Sequence, residues 1–174
     1  SCGNMEQRRT VLLADTSTEF RILLREAMER TGEFLVEIAQ TGDEVLDKVQ
    51  EQEPDILIMD VILPGLDGLS ALRELQELGY APMTILTSAF VSDQTLTEAT
   101  ELGAAYFLPK PFRMETLLDR MRNLFREKPK ATRPSLKARV THMLHDAGMP
   151  ANISGYQYLR EAILITAADP SVLN

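Results

Sequence analysis

Five short apolar runs recur along this chain with helix-patterned segments between them, and that alternation leaves few folds open. The runs occupy positions 11–14, 34–39, 56–59, 83–86 and 105–109. Near-continuous apolar strands are the mark of a parallel sheet covered by helices on both faces. Five β–α alternations within roughly 120 residues predict an α/β fold built on a five-stranded, doubly wound parallel sheet. Four of the runs are followed at once by a chemically capable side chain: Asp15, Asp60, Thr87 and Lys110. Ligands of open α/β sheets bind beyond the carboxyl ends of the strands. Two carboxylates, a hydroxyl and an ammonium are therefore expected to converge at one edge. Such a set suits a carboxylate that accepts a phosphoryl group beside a divalent cation, which relieves the repulsion between two anions.

The intervening segments carry helix signals. Phe20, Leu23, Leu24, Ala27 and Met28 fall at helical spacing, with Gly32 at the C-cap region. Thr41 opens a second helix that stops before Pro54, and Leu69, Leu72, Leu75 and Leu78 mark a third that stops at Gly79. Asp93 is expected to cap the fourth, which ends at Gly103. Leu117, Leu118, Met121, Leu124 and Phe125 define the fifth.

Residues 127–135, charged and containing two prolines, read as a linker. Residues 136–174 then predict two short helices, which cannot bury much core by themselves. Residues 1–8 read as a tail, its first four residues as a remnant ahead of a native Met5. The first 126 residues hold 12 Lys/Arg against 22 Asp/Glu, and the remainder 6 against 4. An acidic first part argues against nucleic-acid binding there. No stretch approaches the eighteen or so apolar residues of a membrane span, and the tail lacks a signal-peptide core. The single cysteine, Cys2, fits a reducing compartment. These features together predict a cytoplasmic protein without a membrane partner.

At residue level the first part resembles the receiver domain of bacterial two-component response regulators, from about Arg9 to Phe125. The resemblance rests on Ala14-Asp15, on Met59-Asp60 followed by Pro64, Gly65, Leu66, Asp67 and Gly68, on Leu86, Thr87, Ser88 and Ala89, and on Lys110-Pro111-Phe112. Each piece is common; four in order are specific. The resemblance implies a flavodoxin-like fold over residues 9–126. It implies that Asp60 accepts phosphate from a histidine kinase or phosphotransferase, so that the chain is a switch and not a turnover enzyme. It further implies a magnesium site from Asp15, Asp60 and the backbone carbonyl of Ile62, with Lys110 aimed at the pocket by a cis bond to Pro111. Thr87 and Phe107 take the switch positions. One departure stands out: Thr16 occupies the place of a second acid. A neutral hydroxyl is the poorer magnesium ligand, so weak binding of Mg2+ is expected.

Residues 139–165 are similar to the start of the effector domain of the stage-zero sporulation regulator A family, most clearly at Gly155, Tyr156, Gln157, Tyr158, Leu159, Arg160, Glu161, Ala162 and Ile163. This implies a response regulator controlling sporulation-type transcription. That family's recognition helix lies beyond the position of Asn174, so DNA binding is expected only from a chain that continues. A homodimer stays open. The rival reading is a degenerate or truncated receiver acting by protein contact alone. A magnesium-dependent phosphatase is disfavoured, because Ile62 stands where its second acid belongs. His142 and His145 read as residues of a helix surface or of the effector fold's interior, and Asp15 or Asp60 taken singly would pass for ordinary strand-end residues.

Overall fold

A computed structural model describes residues 7–126. The expectations for residues 1–6, the linker and the 136–174 segment lie outside the described residues. The elements run β1 (Arg9–Ala14), α1 (Thr18–Arg30), β2 (Phe34–Ala39), α2 (Gly42–Gln52), β3 (Ile56–Asp60), α3 (Gly68–Leu78), β4 (Met83–Ser88), α4 (Asp93–Glu101), β5 (Tyr106–Pro109) and α5 (Met114–Asn123). The strands form one sheet in the order β2-β1-β3-β4-β5. β1 pairs in parallel with both β2 and β3. The N–H of Met83, opening β4, donates to the carbonyl of Asp55 just ahead of β3, and that of Lys110, just past β5, donates to Ser88 at the end of β4. The α/β parallel sheet expected from the apolar runs is the observed architecture.

Backbone contacts divide the chain into two units, Ser1–Leu86 and Thr87–Asn174. In the first, Val11 to Ala14 and Ile56 to Met59 are each no more than 1% exposed, as the unbroken apolar runs require. Leu24 and Met28 of α1, Val45 and Val49 of α2, and Ala71, Leu72 and Leu75 of α3 are buried as well. Burying a side chain of that size contributes about 1.5–3 kcal/mol, so these rows dominate the stability of the unit. The helices begin where the sequence provides an acceptor. Ser17, Thr41 and Asp67 each take the N–H three residues on. α3 ends on Gly79 at φ 89°, a left-handed turn that a Cβ would penalise.

β2 is an edge strand, and its burial alternates, with Glu37 pointing outward. Two long side chains occupy its hydrogen-bonding groups. Glu29 accepts the Val36 N–H at 3.1 Å, and Lys48 Nζ donates to the Ile38 carbonyl at 2.7 Å. Side chains laid over an edge in this way hinder its pairing with another strand.

In the second unit Ala99, Phe107, Leu108, Leu117 and Met121 are buried. The Arg120 guanidinium lies 5.5 Å from the centre of the Tyr106 ring, joining α5 to β5. The cap of α4 differs from expectation. Ser92 is the N-cap, accepting from Thr95 N–H at 3.1 Å, and Asp93 is the first helical residue. Serine and aspartate cap about equally well, and from the first turn Asp93 still complements the helix dipole.

Candidate functional site

Asp15 follows β1 and Asp60 closes β3. Their strands pair in parallel with Ala14 opposite Met59, so the two aspartates occupy the next rung of adjacent strands. Asp15 is 2% exposed, and Asp60 is half-buried. Each carboxylate organises its own turn. Asp15 Oδ1 accepts the Ser17 N–H at 2.8 Å, and Asp60 Oδ1 accepts the Ile62 N–H at 2.8 Å. In both, an aspartate closes a tight turn onto the residue two positions later, a geometry its short side chain favours.

The loop after Asp60 is held by close backbone packing. Gly68 N–H donates to the Val61 carbonyl at 2.8 Å, and a Cβ on Gly68 would run into the Asp60 carbonyl. At the far side of the loop, a Cβ on Gly42 would run into the Leu66 carbonyl. Both glycines are thus required by space. Ile62, whose carbonyl the resemblance assigns to a metal, is 58% exposed, and Thr16 is exposed in the β1–α1 turn.

In the second unit, Thr87 and Ser88 are each 1% exposed and Phe107 is 4% exposed. Successive residues of a strand face opposite sides of the sheet, so the Thr87 and Ser88 hydroxyls point in opposite directions. The Ser88 carbonyl accepts the Lys110 N–H at 2.8 Å. The Ser88 hydroxyl donates to the Phe90 carbonyl at 2.7 Å and accepts the Phe90 N–H at 3.0 Å. The Lys110–Pro111 bond is cis, as the resemblance implies.

Among the described residues no group of three or more His, Cys, Asp or Glu side chains is disposed to hold a metal. Magnesium does not demand one: it retains several waters and is commonly bound by one or two carboxylates. The neighbouring carboxylates of Asp15 and Asp60, both oxygen donors at a strand edge, fit that requirement.

A five-stranded parallel sheet with acids at the ends of β1 and β3 is the framework of a two-component receiver. Residues 11–122 match the family model described as response regulator receiver domain, and the chain belongs to that family. Residues 140–174 match the model described as sporulation initiation factor Spo0A C terminal, so a two-component regulator with an effector-type segment is the class defined. The receiver domain of the Francisella response regulator 1452 is 27% identical, with a TM-score of 0.64 over 67% of this chain and 96% of that one. Vibrio cholerae chemotaxis protein CheY4 is 27% identical, with a TM-score of 0.63 over 68% and 99%. The response regulator domain of Thermotoga maritima CheB is 25% identical, with a TM-score of 0.63 over 70% and 99%. No helix among the described residues is long and apolar enough to cross a membrane.

Proposed function

We propose that the chain is a cytoplasmic phosphorylation switch in which Asp60 accepts a phosphoryl group from a phosphohistidine of a kinase or phosphotransferase. The observation that carries this reading is the adjacency of Asp15 and Asp60 on paired strand ends. An Asp60 carboxylate oxygen attacks phosphorus, the P–O bond forms as the P–N bond breaks, and the departing imidazole takes a proton from solvent. Magnesium, when bound, supplies the positive charge that lets two anions meet. Asp15 and Asp60 hold it, with the Ile62 carbonyl as a further oxygen donor. Lys110 supplies a point charge to the phosphoryl oxygens, and a hydroxyl at the end of β4 donates to one of them. Thr87 is the residue that takes this role.

Phosphorylation then shifts the population of conformers that include Phe107, and the effector segment reports the shift as sporulation-type transcription in a phosphorelay. The chain is a stoichiometric switch and not a turnover enzyme. A small phosphodonor such as acetyl phosphate tests the reading. With magnesium present, intact mass is expected to rise by one phosphoryl group, and Asp60→Asn is expected to prevent it. Absence of an adduct at every magnesium concentration contradicts the proposal. The exposed Thr16 in place of an acid favours one alternative, a receiver that works by protein contact without phosphorylation, and that same null result would select it.

A further inference from the structure

Arg21 is only 7% exposed, an unusual position for a guanidinium. Its described partners are neutral. Nη1 donates to the Asp15 carbonyl at 2.6 Å, and Nη2 donates to Thr18 Oγ1 at 3.3 Å. These bonds complete a ring. Ser17 N–H donates to Asp15 Oδ1 at 2.8 Å, Arg21 N–H donates to the Ser17 carbonyl at 3.0 Å, and the guanidinium returns to the Asp15 backbone. Both the carboxylate and the main chain of Asp15 are thereby tied to the first turn of α1. A buried charge is costly to desolvate unless its donors are well used, and here the fork is used on the turn that presents the acid.

We propose that Arg21 is a positioning residue that fixes Asp15 for a divalent cation; the inference deepens the phosphoacceptor reading and rests on its metal site. Its contribution is geometric, because a positive charge beside the site repels a cation. The geometry matters more in this chain than where two acids adjoin. Thr16 leaves Asp15 as the single carboxylate of its turn, so no neighbour compensates when Asp15 is misplaced.

The test is magnesium titration of the isotope-labelled full chain, following the amide resonances of residues 15–18 by NMR, together with hydrogen exchange at the Ser17 amide. Arg21→Met and Arg21→Lys are each expected to raise the magnesium dissociation constant about tenfold or more, the usual scale for residues that orient a metal ligand. Both should also speed exchange at Ser17. Arg25→Met, at an arginine on the same helix whose side chain is 48% exposed, should change neither. Thr18→Val, which removes only the weaker arm, should give a smaller loss of the same kind and serves if the Arg21 variants do not fold. Unchanged affinity and exchange in Arg21→Met, or in Thr18→Val should it alone fold, overturn the inference. So does wild-type behaviour of Arg21→Lys, because charge without the fork would then suffice. Absence of saturable magnesium shifts in the wild type overturns the metal-site reading itself, and the inference with it.

Discussion

At the scale of single residues, the metal site depends on which residue stands beside Asp15. Thr16 is the position most open to improvement. Thr16→Asp adds a carboxylate beside Asp15, and magnesium affinity is expected to rise on the order of tenfold, about 1.4 kcal/mol. Isothermal titration reads this directly, and unchanged affinity would mean that the exposed side chain at position 16 does not reach the ion. The two hydroxyls of β4 separate in the same spirit. Thr87→Ala is expected to slow phosphorylation and alter adduct lifetime more than Ser88→Ala, since the Ser88 hydroxyl is engaged by Phe90, measured by the decay of the phosphorylated mass. The reverse order would move the role to Ser88.

The adjacency of Asp15 and Asp60 was legible because a polar residue ending an apolar run needs a reason, and the strand edge gives one. Arg21 was not. An arginine seven positions from a strand end reads as surface, and only the coordinates show its fork turned inward onto the Asp15 carbonyl.

Among elements, the parallel strands were legible from their continuous apolar runs, and the start of α2 from its capping residue Thr41. What sequence could not resolve was the choice between adjacent cappers, Ser92 and Asp93, because either can close the turn and the loop geometry decides. Nor did it reveal that β2 is an edge whose open groups are taken by Glu29 and Lys48. Glu29→Ala combined with Lys48→Ala removes both partners from a part-buried edge. A loss of about 1–2 kcal/mol is expected, the scale of two net hydrogen bonds. It should appear as a lower urea midpoint with an unchanged slope. An unaltered midpoint would mean that water satisfies the edge equally well.

Taken whole, the molecule combines a receiver over residues 11–122 with a segment of effector type over 140–174. Charge followed the same division, acidic in the first part and mildly basic in the second. The receiver was recognisable because its chemistry lies at fixed places along the alternating pattern. How the effector segment responds was not recognisable, because the sequence of residues 136–174 carries little that dictates a partner. The central claim is chemical and local: phosphate arrives on Asp60. The most direct measurement is borohydride reduction of the phosphorylated chain followed by peptide sequencing, since reduction converts an acyl phosphate to a stable alcohol. Homoserine is expected in place of Asp60 and nowhere else. Homoserine at another aspartate, or unmodified Asp60 in protein that carries phosphate, would contradict it.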